Sequence, residues 1–553
     1  MPGEAAAHGA APTPPLADSV RRPYPYRWAT LSGLLYGLSF PSFAQVHLEP
    51  LAWCCWVPWL LALRGPVSWG QAAASGWLAL WIGTAIATRW LLVVEPGVGL
   101  FVFTVQSALM LPILLLFFAG RRLVGWRHAL WILPPLWTGW EWLLTRQPLH
   151  TPLAFFGYSQ ANWYGLIQYC DLVGVWGVAC WLVLFNVLIA RAWALAAEGG
   201  RGMLRRLLPR LVVIALPMLA LPAGYGWYRI GEVETRLAQA PRITIALVQP
   251  NVGYGGKEQE SQRDYVKTME QMVIRSTDSI IAHRPDLVVW PEATLPFDVN
   301  TQAAVRDYLL LVVERWNVPL ILGFQERLDE RHLYNSALLV TPQLARYARG
   351  LPRDQAPRLK VYRKQELVPF AEQVPFADRV PALEALALPI DGATSLILKG
   401  DPVATRFAFR DRQGVKRWAG VRICYEVLYP AGTARLVADG AAVLIVISND
   451  GPFGRSTETL QLAAYSRILA ISTRRSLARC ANTGLTLFAD PLGRLYGSVP
   501  RWEEQVAVGS VALGNDLSLY VRYPDLFPAA CLGAAVLGAL LAWVRMGRAA
   551  RAS

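Results

Sequence analysis

AVLIVIS, residues 442–448, is six consecutive apolar residues closed by a serine, and its reading decides the fold. A strand with one wet face alternates apolar and polar side chains; a run without alternation is covered on both faces, as in a sheet sandwiched inside an α/β domain. Strand candidates of related character lie around it: ITIALVQPNV (243–252), DLVVW (286–290), PLILGF (319–324), SALLVT (336–341) and VRIC (421–424). Amphipathic stretches at 258–283, 301–316 and 456–472 read as helices between them. The proline- and arginine-rich stretch 342–360 reads as a surface loop. Some 280 residues from about Pro241 onward are ample for one large core.

Upstream the composition changes. The chain of 553 residues is 54% hydrophobic, too apolar for an ordinary soluble protein. All six lysines lie between Lys257 and Lys416, so two physical environments are present. A spanning helix needs about 20 apolar residues. Eight stretches qualify, near 27–45, 48–63, 73–94, 97–119, 128–145, 169–193, 211–228 and 526–544. The first lacks a following small-residue cleavage site and reads as a retained helix rather than a signal peptide.

The arginines set the orientation. Arg21, Arg22 and Arg27 precede the first stretch, Arg64 follows the second, and Arg121, Arg122 and Arg127 follow the fourth. Arg191, Arg201, Arg205, Arg206 and Arg210 separate the sixth and seventh, and Arg545, Arg548 and Arg551 end the chain. The opposite loops offer little beyond Arg146. The positive-inside rule then puts both termini in the cytoplasm and residues 229–523 outside. The expected organisation is an N-terminal membrane domain over 1–228, an extracytoplasmic catalytic domain over 229–523 and a final helix with its tail over 524–553. A net charge of +14 suggests nucleic acid, but the excess lies beside apolar runs, where lipid headgroups and insertion topology account for it. No nucleic-acid partner is expected. Of seven cysteines only Cys424 and Cys480 lie in the polar part, with no disulfide framework and no CxxC metal pattern; no metal or cofactor is expected.

Three segments place a reactive side chain at or just after a strand end: WPEA (290–293), VYRKQELVPFAE (361–372) and GVRICYE (420–426). Cys424 suits a nucleophile, whose thiol of pKa about 8.5 needs a base or a positive field. Glu292 suits the base, and Lys364 a fixed positive charge toward an oxyanion. No histidine is needed. Cys480 reads as core, since no acid or base motif adjoins it, and Arg475 and Arg479 read as structural ion-pairing residues. Glu141 and Arg89, inside predicted spans, are expected to face the bundle interior or water.

In this order the three segments resemble the Glu, Lys and Cys motifs of the nitrilase superfamily, and LVPFAE after the lysine resembles the apolipoprotein N-acyltransferase family. FFGYSQ (155–160) with LIQYCDLVGVWG (166–177) is similar to that family's periplasmic loop and following helix. SFPSF (39–43) and SND (448–450) match as well, and RRSLARCANTG (474–484) is similar to its Arg-rich helix and Asn-Thr-Gly turn. The resemblance implies a bundle of about eight transmembrane helices plus a nitrilase-like α-β-β-α sandwich. It also implies catalysis by Glu292, Lys364 and Cys424, with Glu372, Tyr425, Glu426 and Asn449 supporting the site or binding substrate. For Glu372 and Glu426 local salt bridging is the alternative, and for Tyr425 simple packing.

The implied reaction moves a fatty acyl chain from a membrane phospholipid, typically phosphatidylethanolamine, through a Cys424 thioester. The acceptor is the α-amino group of the S-diacylglyceryl cysteine that begins an apolipoprotein. The expected setting is the bacterial inner membrane, multi-pass, with the catalytic domain periplasmic and the protein a monomer. Apolar loops such as 152–164 are expected to admit acyl chains. The sequence departs from the family pattern at Pro452 (for Trp), Glu366 (for His), Ala371 (for Gly), Ser472 (for Glu) and Arg474 (for Gly), and NVGYGG (251–256) lacks a Trp. The alternatives are a divergent membrane-bound amidase or acyltransferase with another amine acceptor, and a non-catalytic lipid-binding scaffold.

Overall fold

Prolines shape the helical half. The computed structural model describes residues 25–41, 46–149, 151–198, 202–252, 262–295, 298–329, 332–351, 359–377, 379–386, 396–403 and 405–552. Arg21, Arg22, Arg201, residues 42–43 of SFPSF and 253–256 of NVGYGG lie outside them, as do the side chains of Arg545, Arg548 and Arg551. Helix occupies part of each of the eight expected stretches, but several are broken. The second is a 3₁₀ turn, Glu49–Trp53, then a short helix, Val57–Ala62, each opened by a proline at its first turn. The fifth is a chain of pieces in which Pro134 and Pro135 open the helix Leu133–Leu144. Among the described residues three helices are long and apolar enough to cross a membrane: Pro96–Val124, Cys170–Glu198 and Met203–Gln239. The last contains Pro209, Pro217 and Pro222 and runs eleven residues past the expected boundary at 228.

The polar half is a pair of facing sheets. The strands are β1 (Arg242–Gln249), β2 (Leu287–Val289), β3 (Leu320–Arg327), β4 (His332–Val340), β5 (Val361–Arg363), β6 (Leu396–Ile397), β7 (Arg406–Arg410), β8 (Lys416–Ile423), β9 (Val443–Ser448), β10 (Leu477–Ala481), β11 (Thr486–Ala489), β12 (Leu495–Val499) and β13 (Gln505–Ala512). Among the described residues they form a seven-stranded sheet, β13-β1-β2-β3-β4-β5 with β6 on β4, and a six-stranded sheet, β12-β11-β10-β9-β8-β7. The centres β1-β2-β3 and β8-β9-β10 are parallel. Strand β9 is the AVLIVIS run: Val443, Ile445 and Ile447 pack toward the other sheet, Leu444 and Val446 toward helices on the outside. Each such Val or Ile contributes about 1.5–3 kcal/mol through burial.

Two expectations about local structure are corrected. Residues 342–349 form a helix, Pro342–Arg349, not loop, because the Thr341 hydroxyl accepts from the Leu344 N–H and Pro342 opens the first turn. RRSLARCANTG is not helical at its centre: Leu477–Ala481 is strand β10, paired between β9 and β11. The preceding helix, Glu458–Thr473, ends at Arg474 in the left-handed region.

One helical layer, Gln262–His283 and Ala303–Trp316, covers the outer face of the first sheet. The other layer, Pro430–Ala438 and Glu458–Thr473, lies between the second sheet and the membrane helices, sharing a single apolar core with both. Ionic ties reinforce this junction. Buried Asp171 accepts from Arg474 and Arg229, each at 2.8 Å, while Arg474 also donates to the Gln168 side chain at 2.6 Å. Removing one partner strands buried charge at a cost of about 3 kcal/mol. Asp171→Asn is therefore expected to lower the thermal midpoint of the detergent-solubilised protein by several degrees; an unchanged midpoint would remove this cluster from the account of the junction.

Candidate active site

Cys424 ends strand β8 and starts a 3₁₀ turn, Cys424–Leu428, at φ +49°. A non-glycine residue there carries about 1 kcal/mol of strain, held by the surrounding structure. The clamp is Glu426. Its carboxylate accepts from the Ile423 N–H at 2.8 Å, the Gln365 N–H at 2.8 Å and the Tyr362 hydroxyl at 2.7 Å, with Arg422 at 3.3 Å. Glu426 thus ties the cysteine turn to the loop after Lys364 and makes the expected local salt bridge, with Arg422. Tyr425 is buried, its ring 5.6 Å from that of Tyr429.

Glu292 follows β2. Gly323 on β3 permits its approach: a Cβ there would lie 2.6 Å from the Glu292 Cα. One carboxylate oxygen accepts from the Asn335 side-chain amide at 2.7 Å and from Lys364 Nζ at 3.3 Å; the other accepts from the Asn449 backbone N–H at 2.7 Å. Asn449 therefore contributes through its backbone, while its side-chain oxygen accepts from Asn482 at 3.1 Å. Lys364 is anchored by its own N–H to the Asn335 carbonyl at 2.8 Å, and its Nζ donates to Glu372 at 2.7 Å. Glu372 in turn accepts from the Val368 N–H at 2.8 Å.

The charges are enclosed: Lys364 is 1% exposed, Glu292 6% and Cys424 7%. Burial pushes the Glu292 carboxyl above the ordinary carboxylate range, with the Lys364 ammonium pulling against it and Glu372 pushing with it. Burial also opposes charge on Lys364, but Glu372 and Glu292 outweigh it and hold the ammonium protonated beyond the usual lysine range. The Cys424 thiol is driven well up, first by burial and then by Glu292, against the pull of Lys364. A resting thiolate is disfavoured here. The arrangement suits a neutral thiol that loses its proton to Glu292 as it attacks, beside a fixed cation for the resulting oxyanion.

Three loops of this site rest on the N-terminal helical half. Phe370, on the lysine loop, packs edge-on to Phe101 at 4.8 Å between ring centroids. Phe453, beside Pro452, packs on Trp90 at 5.2 Å. The Leu428 carbonyl, at the end of the cysteine turn, accepts from the Tyr158 hydroxyl at 2.9 Å. Of residues 152–164, expected to admit acyl chains, 152–161 are buried in this junction and 162–164 are half-buried. Glu141 also faces the interior, accepting from the Trp137 indole and the Phe156 N–H, both at 2.9 Å; Arg89 is half-buried.

Sequence reasoning passed over Asn335, Tyr362 and Arg422. Arg422 had a signal, a lone charge inside the apolar run GVRIC, which demands a buried partner. Cys480 is core, its thiol 3.4 Å from the Val248 and Val289 carbonyls. Arg479 pairs with Asp450 at 3.0 Å, whereas Arg475 departs from the ion-pair expectation and donates to the Ala441 and Asp516 carbonyls at 2.9 and 2.7 Å.

Residues 244–515 match the carbon-nitrogen hydrolase family, and residues 32–188 match the apolipoprotein N-acyltransferase N-terminal domain. An apolipoprotein N-acyltransferase of Chlorobaculum tepidum is 34% identical over 546 residues, covering 94% of this chain and 97% of that protein. The chain belongs to the apolipoprotein N-acyltransferase family. A Geobacter metallireducens member is 30% identical over 532 residues, covering 93% of this chain and 95% of its own. As a member of this family the chain is an acyltransferase with a nitrilase-type α/β domain, and its apolar helices make it a membrane protein.

The Asn335 amide stabilises the Glu292 anion, so Asn335→Ala is expected to raise that carboxyl's pKa further. A base at Glu292 would act only when ionised, so the acid limb of kcat/KM should then move up by about 1 pH unit. A pH–rate profile on the variant checks this; an unmoved limb would separate Glu292 from the rate.

Proposed function

We propose that this acyltransferase completes lipoprotein maturation by carrying a fatty acyl chain on Cys424 from a membrane phospholipid to the N-terminal amine of a diacylated apolipoprotein. The observation that carries the reading is the enclosed Glu292–Lys364–Glu372 cluster beside a strained Cys424, with three of its loops seated on the N-terminal helical half.

In the first step Glu292 takes the Cys424 proton as sulfur attacks the lipid ester carbonyl. The Lys364 ammonium faces the negative charge that develops on the carbonyl oxygen. The C–O bond then breaks, Glu292 returns the proton to the departing alkoxide, and a thioester and a lysophospholipid result. In the second step the uncharged amine attacks the thioester and Glu292 accepts a proton from nitrogen. The C–S bond breaks as Glu292 passes that proton to sulfur, which leaves as a thiol. An α-amino group of pKa near 7.7 to 8.0 supplies enough neutral amine without a strong base. Exchange of thioester for amide drives the sequence forward.

Both substrates are held in the bilayer by acyl chains whose exposure costs about 0.8 kcal/mol per CH₂, so the site must lie at the membrane. That supports a periplasmic catalytic domain over 229–523, a bundle over 1–228 and a closing helix over 524–553 in the inner membrane. The helix Met203–Gln239 crosses the first join. Phosphatidylethanolamine is the proposed donor and the enzyme acts as a monomer. Membranes incubated with acyl-labelled phospholipid and a diacylated lipopeptide are expected to yield labelled N-acyl lipopeptide. Label transferred only to small amines, with none on the lipopeptide, would favour an amidase-like enzyme of another acceptor.

A further inference from the structure

Between the rim of the bundle and the loop carrying Lys364 and Glu372 lies a cavity of about 150 Å³, lined by Arg146, Glu366, Leu367, Lys399 and Tyr429 among others. None of its charged groups takes part in the catalytic cluster. Arg146 is the basic residue of the otherwise cation-poor loops expected outside the cytoplasm, and it follows the helix Leu133–Leu144 that ends the fifth expected span. It is therefore placed where headgroups of the outer leaflet lie. Its guanidinium rests 5.0 Å from the Trp142 ring centroid and pairs with Asp525. On the opposite wall Lys399 Nζ is 3.3 Å from the Glu366 carboxylate. The side chains of Arg146 and Lys399 are 43% and 52% exposed, so these pairs are weakly held and can exchange partners. One lining residue leads toward the cysteine turn: the Tyr429 hydroxyl is 3.5 Å from that of Tyr425, the residue after Cys424.

We infer that this cavity receives the zwitterionic headgroup of the donor lipid, its phosphodiester between Arg146 and Lys399 and its ammonium on Glu366. Two cations and one carboxylate complement one phosphate and one amine, and an anionic headgroup lacking the amine leaves Glu366 opposed to it. The phosphate would be held at the mouth of the site with its ester-linked chains directed toward Cys424. The inference rests on the phospholipid reading above and adds to it the residues that select the headgroup.

The test uses the full-length enzyme in lipid nanodiscs. Acyl-enzyme formation is measured from phosphatidylethanolamine, phosphatidylglycerol and a p-nitrophenyl acyl ester that has no phosphate. Arg146→Gln and Lys399→Ala are each expected to raise the KM of both phospholipids about fivefold more than that of the ester, as loss of a charge-assisted contact would. Glu366→Gln should narrow the preference for ethanolamine over glycerol by about fivefold, since only the amine uses that carboxylate. Equal KM changes for phospholipids and ester, or an unchanged headgroup preference in Glu366→Gln, would overturn the headgroup site. Lys399→Ala, at an exposed position, keeps the phosphate arm decisive should Arg146→Gln misfold on losing Asp525. A parent enzyme acylated by the ester and by no phospholipid would overturn the donor reading itself, a result separate from either of these.

Discussion

Cys424→Ala is expected to lower N-acyl transfer by about 10⁵-fold or more, the scale on which removal of a nucleophile from a cooperating catalytic group acts. The loss should be in turnover, with lipid affinity kept, because the substitution deletes one sulfur and leaves the Glu426 clamp on the Ile423 and Gln365 amides in place. Alanine accepts the left-handed backbone of position 424 no worse than cysteine does, so the thermal midpoint should stay close to the parent's. Residual transfer above about 1% of the parent rate would show that another group carries the acyl chain. Cys480 would not be that group, since it is enclosed between the sheets with its thiol on backbone carbonyls.

Lys364→Met should also be strongly damaging, though less so than loss of the nucleophile, for two separable reasons. The ammonium is the cation within hydrogen-bonding distance of both Glu292 and Glu372. Without it the oxyanion loses its counter-charge, worth about 10² to 10³ in kcat. The two buried carboxylates would also be left facing each other, destabilising the fold by about 3 kcal/mol. A pH signature distinguishes this loss from simple misfolding. In the parent the Glu292 carboxyl is raised by burial and lowered by Lys364; in the variant the Lys364 pull is gone, and burial and Glu372 are opposed only by the hydrogen bonds from Asn335 and Asn449. A carboxyl whose folded pKa lies above its unfolded one favours folding when protonated. The variant's stability is therefore greatest in acid and falls as pH rises through the raised Glu292 pKa. Thermal midpoints that decline from mildly acidic to mildly alkaline buffer, more steeply than the parent's, are the expected result; parallel curves would mean that Lys364 does not set the charge on Glu292.

Much of this was legible because Glu292 and Cys424 follow strands whose apolar runs are easy to read. AVLIVIS became β9 and VRIC the end of β8, which placed Asn449 and Cys424 at the same edge of one sheet. What stayed hidden depended on partners distant in sequence. Strand β10 carries Arg479 inside an arginine-rich segment, and nothing local announces that Asp450 neutralises it within the core. Asn335 lies just before the expected strand 336–341, and its role is defined only by Glu292 and Lys364 converging on it. The helices were located but their continuity was not. Pro50 and Pro58 open new pieces of the second stretch, while Pro209, Pro217 and Pro222 lie inside one uninterrupted helix. The difference is tertiary, since neighbouring groups can satisfy the carbonyls that a proline frees. The Thr341 cap that made a helix of residues 342–349 was visible in principle, but the surrounding prolines and arginines outweighed it.

The most direct measurement is the intact mass of the parent enzyme after incubation with phosphatidylethanolamine and no acceptor. The account predicts a mass gain of one fatty acyl group located on the Cys424 peptide, removed by neutral hydroxylamine and discharged when a diacylated lipopeptide is added. An enzyme that acylates the lipopeptide while never carrying an acyl group on Cys424 would contradict it.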